Sequence, residues 1–126
     1  RHFEITNGSL HETVAAVERQ LRQRIAQNPR LLDVAVSLYR SERTLRRQLA
    51  GEGESFTTIH DRVRCERALE LLRDRRLTVA QVGSQVGFGD VREFRRAFKR
   101  WTGRRPSVVA QMKADEIVEV ARKLDI

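Results

Sequence analysis

Arg92, Arg96 and Lys99 recur on one side of a segment whose other side carries Phe94, Phe98 and Trp101. An earlier segment repeats the arrangement, with Arg43, Arg46 and Arg47 set against Leu45 and Leu49. On a 3.6-residue period the apolar side of each segment packs and the cationic side stays free. The planar fork of arginine meets O6 and N7 of guanine at once in the major groove, so such a face could read duplex DNA. It could equally be a solvated surface that keeps a helix soluble, or the basic face of a helical protein-interaction module.

Other chemistries have less support. His2, His11 and His60 are scattered and Cys65 stands in a basic amphipathic stretch, so no acid, base and nucleophile converge and no enzyme is expected. None of the seven glycines forms a phosphate-binding GxGxxG or P-loop pattern. No Cys/His spacing resembles a zinc site, so neither metal nor cofactor is expected, and one cysteine admits no internal disulfide. RNA recognition is disfavoured, because the A-form major groove is too narrow for a helix and no aromatic stacking platform is evident.

Charge and context narrow the partner. Residues 1 to 39 carry five basic and four acidic side chains, residues 40 to 105 carry seventeen and nine, and residues 106 to 126 carry three and four. The whole excess of the +8 net charge therefore lies in the middle, where both arginine-bearing segments are. A concentrated basic stretch is the footprint of a polyanion binder, since each neutralised phosphate releases counterions. No apolar run is long enough to span a bilayer and no signal-peptide pattern opens the chain, so a cytoplasmic location and no membrane partner are expected. The first residue is Arg1, which reads as a piece of a longer protein.

The elements that must position the arginines are helices. Leu, Ala, Arg, Glu and Gln dominate the long segments, with two prolines and little β-branched alternation. The expected class is all-α, with about seven helices. Ser9 with Glu12 reads as a capping box opening a helix that carries Leu10, Val14, Val17, Leu21 and Ile25 and closes at Asn28-Pro29. Residues 31 to 38 form a short second helix. Ser41 caps a third, ending at Gly51 and Gly53, and a long fourth runs from about Ser55 to Arg73 with Phe56, Ile59, Val63, Leu69 and Leu72 inward. Thr78 with Gln81 opens a fifth that stops at Gly87. Asp90 with Glu93 opens a sixth that stops at Gly103, and Pro106-Ser107 starts a seventh.

Short helix, tight turn and capped helix thus occur twice, which is the unit that presents a recognition helix to DNA. Val34, Ala35 and Leu38 correspond to Val82, Gly83 and Val86. After one inserted residue, Ser41, Leu45, Arg47 and Leu49 correspond to Asp90, Phe94, Arg96 and Phe98. Small residues at Ala35 and Gly83 allow the two helices of each unit to cross closely. The expected organisation is a linker remnant at 1–8, a first helix-turn-helix subdomain at 9–54 and a linker helix at 55–74. A second subdomain at 75–106 and a C-terminal helix at 107–126 complete it.

Gly87-Phe88, the run Phe94-Arg95-Arg96-Ala97-Phe98-Lys99-Arg100-Trp101-Thr102-Gly103, and Pro106-Ser107 together resemble the AraC/XylS-type bacterial transcription regulators. The run Ser41-Glu42-Arg43-Thr44-Leu45-Arg46-Arg47-Gln48-Leu49, followed by Gly53-Glu54-Ser55-Phe56, carries the same resemblance, which covers residues 10 to 110. It implies a C-terminal DNA-binding domain of homeodomain-like character, whose recognition helices, about 41–50 and 90–102, enter successive major grooves. Carried onto this chain, it makes Arg43, Arg46, Arg47, Val91, Arg92, Glu93 and Arg96 the candidate base readers. Arg40, Lys99, Arg100, Arg104 and Arg105 are the candidate phosphate contacts. Double-stranded DNA is the implied partner for activation or repression. RNA polymerase and an N-terminal effector-sensing or dimerisation domain are further ones.

The chain also departs from the family. Tyr39 and Arg40 occupy the first turn, where the family more often has Gly or Asn and then an apolar residue. Arg92 and Glu93 replace smaller residues, and Glu93 reads either as a capping partner of Asp90 or as a cytosine reader, with capping favoured. The chain beyond Pro106 is longer than usual, with Ala110, Ala114, Ile117, Ala121 and Leu124 spaced for a core-packing helix.

Overall fold

A computed structural model describes residues 11–124. Residues 1–8, Ser9 and Leu10 at the start of the first expected helix, and residues 125 and 126 lie outside the described residues. Among the described residues there are eight α-helices and no strand. They are α1 (Glu12–Arg24), α2 (Leu31–Ser37), α3 (Glu42–Gly51), α4 (Phe56–Leu72), α5 (Val79–Gln85), α6 (Val91–Thr102), α7 (Pro106–Ala110) and α8 (Ala114–Lys123). A 3₁₀ turn at Ile25–Gln27 follows α1. The all-helical class is as expected. The extra helix arises after Pro106: Glu116 accepts from the backbone N–H of Lys113 at 2.8 Å, and this capping interaction starts a new helix instead of prolonging the old one.

The chain packs as two units. The first comprises the described residues up to Arg24 together with Pro29–His60, and the second comprises Ile25–Asn28 together with Asp61 onward. In the first unit α1, α2 and α3 pack on one another through the buried side chains Val14, Val17, Leu21, Leu31, Val34, Ala35, Leu45 and Leu49. The exposed N–H groups that begin any helix need acceptors. Here the carboxylate of Glu52, just past the end of α3, accepts from the N–H of Thr13 at 3.1 Å and of Val14 at 2.9 Å. One side chain therefore ties the start of α1 to the end of α3.

The second unit is built around Phe94 and Phe98 of α6, both fully buried. Cys65, Ala68, Leu69, Leu71 and Leu72 of α4, Val82 and Val86, Val109 of α7, and Ile117 and Val120 of α8 complete one apolar cluster. The C-terminal segment packs into the core as expected, but through Ile117 and Val120; Ala114 is exposed, while Ala110, Ala121 and Leu124 are half-buried.

The close crossing expected at Gly83 is present. A Cβ built there would lie 2.9 Å from both Cγ and Cδ2 of Phe94, inside any real carbon–carbon contact. Gly83→Ala should therefore force α5 and α6 apart. Overpacking costs roughly 1–3 kcal/mol, and the better helix propensity of alanine offsets up to about 1 kcal/mol. The expected net loss, about 1–2 kcal/mol, is measurable as a lower urea midpoint at unchanged m-value. An unchanged midpoint would mean that the crossing is loose.

Candidate nucleic-acid interface

Two turns of the same design precede α3 and α6. In the first, the N–H of Leu38 donates to Val34 O and Ala35 O, and that of Arg40 to Ala35 O at 2.9 Å. In the second, the N–H of Val86 donates to Val82 O and Gly83 O, and that of Phe88 to Gly83 O at 3.0 Å. The middle residue of each turn, Tyr39 or Gly87, has positive φ, +58° and +94° respectively. At Gly87 no other residue fits easily, since an added Cβ would also approach Ile25 O to 2.7 Å. The repeat seen in the side chains is thus a repeat of backbone geometry.

Each helix that follows is capped. Ser41 Oγ accepts from the Thr44 N–H at 3.1 Å and starts α3. Asp90 starts α6 by accepting from the Arg92 N–H at 2.8 Å. The expected reciprocal pairing of Asp90 with Glu93 does not form, because the short carboxylate bonds one residue earlier and lies 3.8 Å from Nε of Arg92. Glu93 is exposed. The helix ends at Gly103, in the left-handed conformation, whose N–H donates to Lys99 O.

The candidate base readers take several kinds of place. Arg43, Arg46 and Arg47 are exposed on α3 while Leu45 and Leu49 are buried, so the cations share the outer side of that helix. On α6, Arg92, Glu93 and Arg96 are exposed and Val91 is half-buried. Among the described residues, no carboxylate pairs with Arg43, Arg46, Arg47 or Arg96. An internal ion pair between Arg96 and α4 is therefore not formed among them; within α4, Arg64 lies 2.8 Å from Asp61 and Arg67 lies 3.7 Å from Glu70.

The phosphate candidates divide. Lys99, Arg100, Arg104 and Arg105 are exposed. Arg40 is half-buried and turns back into its own unit, donating to Gln48 Oε1 at 2.8 Å and to Thr13 Oγ1 at 3.5 Å. Arg96, Lys99 and Arg105 line one concave surface of about 380 Å³ with Arg95, Pro106 and Ser107. That brings a base-reading candidate beside two phosphate candidates and adds Arg95, which the sequence reading passed over. The signal for it was present: Arg95 and Lys99 are four residues apart on one helix, one turn from each other.

Elsewhere in the second unit, Arg64 stacks its guanidinium over the rings of Phe88, 4.6 Å from the centroid, and Trp101, 5.5 Å. Phe88 also meets Phe94 and Trp101 at 5.5 and 5.9 Å, so the residue just after the second turn is held from three sides. Cys65 lies in the same core, and burial first, then Asp61 and Glu66, push its thiol up to about 12. Burial thus favours the thiol over the nucleophilic thiolate. Among the described residues no group of His, Cys, Asp and Glu could hold a metal ion, and no helix is long and apolar enough to cross a membrane.

Comparison with known proteins gives consistent results. Residues 34–112 match the model of a family described as "Helix-turn-helix domain". An uncharacterised HTH-type transcriptional regulator of Mycobacterium tuberculosis is 47% identical over 79 residues, covering 63% of this chain and 23% of that protein. The HTH-type transcriptional regulator VqsM of Pseudomonas aeruginosa is 41% identical over 91 residues, covering 66% of this chain and 28% of that protein. The chain thus spans about a quarter of the length of these relatives. Among solved structures, the C-terminal domain of AraT, a response regulator from Geobacillus stearothermophilus, superposes with a TM-score of 0.72 at 28% identity, covering 79% of this chain and 84% of that one.

Proposed function

The chain belongs to the AraC-type helix-turn-helix family, and on that premise we propose that it binds double-stranded DNA sequence-specifically in the regulation of transcription. The observation that carries the reading is the duplicated turn and capped helix, each presenting exposed arginines, of which Arg43, Arg46, Arg47 and Arg96 meet no carboxylate among the described residues. A solvated surface does not require the same backbone turn twice before the same pattern of cations. The first turns of α3 and α6 enter the major groove, where Arg43, Arg46 and Arg47 in one unit and Arg92 and Arg96 in the other reach base edges. Lys99, Arg100, Arg104 and Arg105 supply phosphate attraction. The chain acts as a binding module and not as an enzyme.

Footprinting of the isolated chain on its selected sequence tests this. The expected protection covers two major-groove segments of one duplex for each bound chain, and affinity falls with salt at a log–log slope of about −0.9 for every phosphate neutralised. Protection of a single segment would remove one of the two recognition helices from the reading. The competing reading, a basic face for an acidic protein, predicts that unlabelled nonspecific duplex fails to displace the bound partner and that the slope on DNA is flat.

A further inference from the structure

Tyr39 has a side chain for which the fold of the first unit has no use. Its backbone lies at φ +58°, a region that favours glycine, and its side chain is 96% exposed. It makes no side-chain hydrogen bond or ring contact with any described residue. The equivalent position of the second unit is Gly87, at φ +94°, with matching backbone hydrogen bonds around it. A glycine would therefore make the first turn with less strain. Strain kept where the side chain packs on nothing directs attention to what that side chain presents.

What it presents is a phenol two residues before Ser41, the N-cap of α3. If the first turns of α3 lie in the major groove, a side chain at that point stands at the lip of the groove, which phosphate oxygens line. Tyrosine is among the side chains that donate to them. Its neighbour Arg40 is engaged by Gln48 and Thr13, so Tyr39 is the donor that the turn directs outward.

We propose that Tyr39 donates its hydroxyl to a DNA phosphate at the edge of the groove read by α3, an anchor that the second unit lacks. The proposal rests on the duplex-DNA reading above. Wild type, Tyr39→Gly and Tyr39→Phe, each assayed for thermal stability and for binding to the selected duplex and a nonspecific duplex, test it. Tyr39→Gly is expected to raise Tm by about 2–6 °C, through relief of the turn, while weakening both duplexes roughly tenfold, as loss of a bond to a charged oxygen does. Tyr39→Phe should melt like wild type and lose the same roughly tenfold affinity. The salt slope should stay as in wild type, because no cation has been removed. Wild-type affinity in Tyr39→Gly overturns the proposal, and wild-type affinity in Tyr39→Phe overturns the role of the hydroxyl. Failure of the wild-type chain to bind any duplex would instead overturn the DNA reading on which the proposal stands.

Discussion

Phe94→Ala is expected to lower the stability of the second unit by about 3–5 kcal/mol, the usual range for emptying a fully buried aromatic site. Phe94 is wholly buried, lies against Gly83 and sets its ring 5.5 Å from Phe88 and 5.8 Å from Phe98. The backbone of Gly83 has no side chain with which to fill the space left behind. Trp101→Ala should cost less, toward the lower end of the same range at about 3 kcal/mol. Its ring is only half-buried, and its Nε1 is a buried donor without a partner among the described residues, so truncation also removes an unsatisfied group. Urea melts of the two variants should therefore rank Phe94→Ala below Trp101→Ala at equal m-values. The reverse order would mean that the Arg64, Phe88 and Trp101 stack, and not the Phe94 site, holds α6 in place.

The same comparison shows what could be read from the chain and what could not. Local signals were legible because their physics is local: Ser41 and Thr78 bond the amides three residues on, Gly103 ends α6, and Leu45 and Leu49 are buried as their spacing requires. The small residue at Gly83 was legible for a related reason, since the repeat exposed a need that one helix alone would not have shown. The capping of α1 by Glu52 was not, because its donors stand 38 and 39 residues away and only the folded unit brings them together. Arg40 was assigned to phosphate by its place beside a recognition helix. Its hydrogen bonds to side chains of α1 and α3, Thr13 and Gln48, were not legible, because the fold alone brings those partners to it. Glu93 was read as a cap partner because sequence spacing cannot tell which amide Asp90 will choose. Trp101 was read onto the packing side with Phe94 and Phe98 and does pack there, but only half-buried, because helical spacing gives the direction of a side chain and not the depth of the packing around it.

Arg46→Ala and Arg96→Ala are expected to reduce the ratio of specific to nonspecific affinity, whereas Arg104→Ala and Arg105→Ala should weaken all duplexes alike. Both proposed readers lie within the first two turns of capped helices, with exposed side chains and no competing carboxylate among the described residues. A lost bidentate contact to a base costs about 1–3 kcal/mol of discrimination, roughly 5- to 150-fold. Arg104 and Arg105 lie between Gly103, where α6 ends, and Pro106, where α7 begins. That loop cannot enter a groove as a helix, so each loss should reduce the log–log salt slope by about one unit and leave the sequence preference intact. Arg96 is the sharper test of the two readers because it shares its concave surface with Lys99 and Arg105. If that surface seats a phosphate and Arg96 turns into it, Arg96→Ala will behave as Arg105→Ala does, with a shallower slope and an unchanged ratio. Base readout in the second unit would then fall to Arg92, whose Nε lies 3.8 Å from Asp90 and would have to leave it to reach the groove. A flattened preference in Arg46→Ala together with an intact one in Arg96→Ala would place sequence discrimination mainly in the first unit and leave the second chiefly to hold the duplex.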